Sequence, residues 1–179
     1  MTTTARRRLL ATLAAAALAA CASAPTPADY AAEKPTLRLR DYFNGPLTAH
    51  GIFSDRSGKV VRRFTVKMNG TWHGNQGVLD EDFTYSDGKK EKRVWRLTDL
   101  GGGRYRGRAD DVVGEAIGVA AGNALNWRYT LALDVDGRVI EVQFDDWMVL
   151  MDERVMLNKA AMSKFGIHLG EVTLSFHRP

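Results

Sequence analysis

An all-β antiparallel domain, a barrel or sandwich of about nine strands, is predicted by three features of the chain. From Leu37 onward apolar and polar residues alternate with period two, as a strand with one buried face requires. Turn residues interrupt the alternation at short intervals, and helical periodicity is scarce. Two of those turns also set the register of their flanking strands, and in both the large apolar side chains then fall on one face.

Strands are expected at 46–54, 60–73, 77–85, 89–98, 103–109, 124–135, 138–150, 154–164 and 168–178. In the second, Phe64, Val66, Met68, Gly70 and Trp72 carry the alternation through Asn69-Gly70, so that pair reads as a bulge inside one long strand and not as a hairpin turn. Ser86-Asp87-Gly88 suits a three-residue loop with Gly88 left-handed, which sets Leu79 opposite Trp95 and Glu81 opposite Arg93. A two-residue loop would turn Trp95 to the other face. Arg104, Arg106 and Arg108 line the outer face of the fifth strand, either as a solvated edge or as a contact for phospholipid or lipopolysaccharide phosphates.

Between Ala109 and Asn123 the pattern becomes small and apolar, and Asp110 and Asp111 are placed to cap a helix start. A short helical or loop insertion near 110–122 is expected, serving as a crossover on the sheet or as a lid at one end. Asp136-Gly137 then reads as a two-residue type I′ turn, placing Leu133 opposite Ile140, Leu131 opposite Val142, Tyr129 opposite Phe144 and Trp127 opposite Asp146. Arg128 across from Asp145 and Thr130 across from Gln143 make the solvated side of that pair. The segment 154–164 would also suit a short helix capped by Gly166.

The first twenty residues read differently. Arg6, Arg7 and Arg8 precede a 12-residue apolar run, Leu9 to Ala20, too short for the ~20 residues of a spanning helix, as in an export signal. Without those arginines the formal charge of +4 falls to +1, which excludes a phosphate-tracking nucleic-acid surface. Leu18-Ala19-Ala20-Cys21 resembles the lipobox of bacterial lipoproteins, and that resemblance implies a diacylglycerol on Cys21 and removal of residues 1–20. By the same analogy Ala22, standing where an Asp would favour inner-membrane retention, implies the periplasmic face of the outer membrane. Residues 21–40, with Pro25, Pro27 and Pro35, are expected to form an extended, non-packing lipidated tether ahead of a barrel domain at 41–179. Cys21 is the single cysteine, so no intrachain disulfide forms.

Through PLTAHGIFSDRSGKVVRRF, GVLDEDFTYSDG, RYRGRADDVVGEAIG, NALNWRY, FDDWM and VMLNKAAMSKFGIHLGEVTLSF, the chain resembles an uncharacterised family of proteobacterial lipoproteins, a domain of unknown function with a lipocalin-like barrel. The resemblance covers almost everything after Leu37 and implies that barrel and an envelope location, with no activity attached.

Catalytic and metal chemistry find little support. His50, His73, His168 and His177 lack metal-ligand spacing, and no phosphate-cradling loop or nucleophile elbow occurs. Asp110-Asp111 and Asp145-Asp146 are adjacent on extended chain and point to opposite faces, so neither pair converges on one bond. A non-enzymatic role without cofactor is therefore expected. Charged residues on the interior face are more informative: Glu81 shares register with Leu79, Phe83 and Tyr85, Arg93 with Trp95 and Leu97, and Asp146 with Phe144 and Met148. Such charges suit a cavity with a polar end, or a structural bridge near a barrel mouth. The expected site is a pocket ringed by Trp72, Trp95, Trp127, Tyr129 and Phe144, with Glu81, Arg93 and Asp146 at its polar end and Arg93 receiving an anionic headgroup. A fatty-acyl or lysophospholipid ligand fits that description, the alternative being a filled barrel acting as an envelope scaffold that docks a protein partner.

Overall fold

A computed structural model describes residues 24–135 and 137–179; the expected signal segment, Cys21 and Asp136 lie outside the described residues. Ten antiparallel strands form a closed barrel: β1 (Gly45–Asp55), β2 (Val60–His73), β3 (Gln76–Tyr85), β4 (Lys90–Gly101), β5 (Arg104–Arg108), β6 (Ala116–Ala121), β7 (Ala124–Val135), β8 (Arg138–Leu150), β9 (Val155–Lys164) and β10 (Ile167–His177). Each strand pairs with the next in the chain, and β10 returns to β1 with Thr48 opposite His177 and Ile52 opposite Thr173. Closure leaves no open sheet edge.

The expected registers are present. Leu79 faces Trp95 and Glu81 faces Arg93 across β3 and β4, while Trp127 faces Asp146 and Tyr129 faces Phe144 across β7 and β8. The segment read as strand or helix at 154–164 is strand β9. Asn69-Gly70 lies inside β2 as expected, but without a bulge, since the pairing with β1 and β3 runs through it unbroken. Gly70 is needed there for a different reason: a Cβ would collide with the carbonyl of Phe43, which passes directly over it.

The helical insertion expected near 110–122 is instead strand β6 behind a loop at 109–115. Nine up-and-down strands would bring the first and last together in parallel; the tenth lets β1 and β10 pair antiparallel. Ala116 and Gly118 point inward on β6, with Ile117 and Val119 outward. The inner positions are small because the Trp127 ring from β7 lies across them, and a Cβ on Gly118 would fall inside that ring. The loop is strapped to β7 by bonds from Val113 N to Thr130 O (2.9 Å) and from Ala132 N to Asp111 O (2.8 Å), so it is a fixed strap, not a lid. On β5, which is paired on both sides and so is no edge, Arg106 and Arg108 are exposed on the outer face and both reach Glu115.

The connections β2–β3, β4–β5, β6–β7 and β8–β9 lie at one end of the barrel, and the remaining four hairpins and the 109–115 loop at the other. Part of the stretch expected as a free tether closes the first end. A 3-10 turn at Pro27–Tyr30 sets Tyr30 against Trp147 on the outside of β8, with ring centroids 5.7 Å apart. Leu37 N donates to Gly122 O (2.8 Å), and helix α1 (Leu39–Tyr42) buries Leu39 and Tyr42. Phe43 completes the plug, packing edge-on against Phe176 at 5.7 Å. The Tyr42 hydroxyl donates to the carbonyl of Arg154 (3.1 Å), tying α1 to the β8–β9 connection.

A candidate ligand-binding cavity

Above the plug the barrel is not filled. A cavity of about 1120 Å³ runs from Leu39 and Phe43 at the closed end to Val61, Arg62, Lys89 and Val135 at the mouth. Its wall follows from strand alternation: every second residue of β2, β3, β4, β7, β8, β9 and β10 points inward, and most of these are apolar.

One side is aromatic. Trp95 meets Trp127 edge-on at 5.7 Å and Tyr129 edge-on at 5.6 Å, and Tyr129 stacks on Phe144 at 4.9 Å. These four line the cavity as expected. Trp72 does not. It is the last inward residue of β2 at the closed end, where it covers Gly77 and donates Nε1 to the Phe43 carbonyl at 3.0 Å, so it supports the plug.

Glu81, Arg93 and Asp146 also face the cavity, but their connections differ from the expected arrangement. Asp111, carried in by the strap, receives the Arg93 fork: Nε at 2.9 Å and Nη2 at 2.6 Å to the same carboxylate oxygen. The remaining nitrogen, Nη1, lies 4.0 Å from Glu81. Arg93 is thus held by two carboxylates, and its planar edge is not free for an anionic headgroup. Across the cavity, Asp146 accepts from Asn158 Nδ2, while the buried Asn158 Oδ1 has no hydrogen-bond partner. Sequence reasoning missed both Asp111 and Asn158. For Asn158 the signal existed, since it shares inward parity with Met156 and Ala160 on β9; for Asp111 none did, because its position depends on the path of the strap.

Burial pushes the Glu81 carboxyl up to about 7, against the pull of Arg93, and pushes Asp146 up to about 7, against the hydrogen bond from Asn158. A carboxyl raised in this way keeps its proton in the folded chain at a pH where the unfolded chain has lost it. Its favourable contribution is therefore complete at low pH and is lost as pH rises from the ordinary carboxylate range to about 7. Replacing Asp146 by Asn removes the cost of the charge and offers Asn158 Oδ1 a donor. Asp146→Asn is expected to stabilise the chain at pH 8 by ~1–3 kcal/mol, or roughly 3–10 °C in Tm, and to have little effect at pH 4. Thermal denaturation followed by circular dichroism at the two pH values checks this, and a lower Tm at pH 8 would contradict it.

A closed antiparallel barrel with a deep aromatic-walled cavity is lipocalin-like in architecture. The chain belongs to the family described as protein of unknown function (DUF3833), whose model matches residues 15–178. No curated protein matches it. Among solved structures it is similar to a protein of unknown function from the DUF3598 family of Nostoc punctiforme, with a TM-score of 0.56 and 12% identity over 88% of this chain and 53% of that one. The chain therefore spans about half the length of the Nostoc protein. It is also similar to the S-type phycobiliprotein lyase CPES of Guillardia theta, with a TM-score of 0.58 and 5% identity over 87% of this chain and 98% of the lyase. Both likenesses are of fold.

Proposed function

We propose that this chain is a lipid-anchored envelope protein whose barrel binds, carries or senses an amphipathic, acyl-chain-like molecule, without catalysing a reaction on it. The observation that carries the reading is the cavity: about 1120 Å³ inside a closed barrel, walled by Trp95, Trp127, Tyr129 and Phe144 and furnished with a few converging polar groups. Apolar wall with sparse polar contacts is the composition of small-molecule sites, and a barrel acting only as a scaffold would fill its centre with side chains. Support for the anchor is the order of Arg6–Arg8, a short apolar run and Leu18-Ala19-Ala20-Cys21. Acyl chains on Cys21, at ~0.8 kcal/mol per buried methylene, would make attachment lasting. Ala22 favours the periplasmic face of the outer membrane.

Mass spectrometry of the full chain isolated from its cells tests both parts. Under denaturing conditions the chain is expected to start at Cys21 and to carry added acyl mass. Under native conditions an additional, dissociable amphiphile mass is expected. An unmodified Cys21 would remove the anchor, and an empty barrel that takes up no added amphiphile would favour the scaffold reading.

A further inference from the structure

The polar groups inside the barrel are biased in one direction. Away from the rim, where Glu91, Asp110 and Asp134 also line the wall, Glu81, Asp111 and Asp146 share the cavity with one cation among the described residues, Arg93. The cations nearer the mouth already have acidic partners: Arg62 with Asp87 at 2.7 Å, Lys89 with Glu91 at 2.5 Å and Lys92 with Asp80 at 3.5 Å. Arg93 is bracketed by Asp111 and Glu81, so its charge is more than balanced before a guest arrives. Among the described residues no cation stands beside Asp146. Among the described residues its carboxylate receives one side-chain donor, Asn158 Nδ2, and it is pushed further toward its neutral form by Asp145 and Glu81.

An independent feature points the same way. Asn158 is 3% exposed and lines the cavity, yet its Oδ1 lacks a partner. A buried acceptor left without a donor costs ~1–3 kcal/mol, and the natural remedy is a donor brought by something else. Glu81, Asp146 and Asn158 thus offer acceptors from three strands, while the guanidinium of Arg93 is consumed.

We infer that the cavity is built for an amphiphile whose polar end is a hydrogen-bond-donating cation, an amine, and that it discriminates against carboxylate and phosphate ends. This rests on the reading of the cavity as an amphiphile site and specifies its guest. The ammonium group would lie between Asp146 and Glu81, donating to their oxygens and to Asn158 Oδ1, with the alkyl chain along Trp95, Trp127 and Phe144. A carboxylate placed there would meet two acidic groups in a setting of low polarity, where like charges repel strongly.

The test uses the delipidated full chain at pH 7.5 and three probes of equal chain length: dodecylamine, dodecanoate and dodecanol, titrated below their aggregation limits with tryptophan fluorescence as readout. Dodecylamine is expected to bind at least ten-fold more tightly than dodecanoate, with dodecanol between them. Asp146→Asn is expected to reduce the amine-to-carboxylate ratio at least five-fold, and Glu81→Gln to reduce it in the same direction, so the inference does not depend on one variant folding. Glu141→Gln, exposed on the outer face of the same strand, is expected to leave the ratio in place. Dodecanoate binding as tightly as dodecylamine, with dodecanol also bound, would overturn this inference and leave the amphiphile site standing. Failure of all three probes to bind would overturn both.

Discussion

Replacing Arg93 by alanine is expected to destabilise the folded chain by ~3–5 kcal/mol at pH 8, a loss of roughly 10 °C or more in Tm. The variant leaves Glu81, 8% exposed, without the guanidinium that faces it at 4.0 Å, and it frees Asp111 from a two-point bond. The two carboxylates do not suffer equally. Asp111 sits in the strap with about a third of its side chain exposed and can turn to water, whereas Glu81 has no such exit. Its carboxyl, already raised by burial, should rise further once Arg93 is gone, so the penalty grows as pH climbs through neutrality and shrinks where Glu81 keeps its proton. Thermal denaturation at pH 8 and pH 5 separates the two contributions. Equal losses at both would mean that Arg93 matters through its packing over the Phe83 ring and not through charge.

Gly118→Val should be comparably damaging for an unrelated reason. Trp127 is 4% exposed and spreads over β5 and β6, where Gly107 and Gly118 together make the floor beneath its ring. A valine at 118 forces the indole off that floor or parts β6 from β7, and overpacking of this kind costs ~1–3 kcal/mol or more. Because the displaced ring forms one wall of the cavity, amphiphile binding is expected to weaken along with stability. Ile117→Val, one residue earlier and facing outward, should shift Tm by no more than about 2 °C. A Gly118→Val chain with unchanged Tm and an unchanged near-ultraviolet tryptophan spectrum would contradict the close approach of the ring.

The contrast between those two neighbours also explains what could be read from the chain and what could not. Turn chemistry is local, so the Gly88 loop and the turn before Gly137 sufficed to place Glu81 opposite Arg93 and Trp127 opposite Asp146. Period-two alternation located the other strands because their inner residues are large. It failed at β6 because the residue filling that space, Trp127, belongs to the next strand, leaving β6 with alanine and glycine inside and Ile117 and Val119 outside. The cavity wall was legible as inward parity, but depth along the barrel was not: Trp72 has the right parity and stands at the plugged end. Nor could the sign of the polar end be read, since a loop residue, Asp111, takes the donor edge of Arg93.

The plug at the closed end bears on which way the protein would stand. Eight residues separate Cys21 from Tyr30, where the chain is already seated against β8 at the plugged end. Fatty chains on Cys21 would hold that end down like the foot of a goblet, leaving the opening upright and turned toward the aqueous space. The barrel could not then draw its guest sideways out of the leaflet in which it is rooted. Its traffic would be vertical, an exchange with molecules arriving from across the compartment.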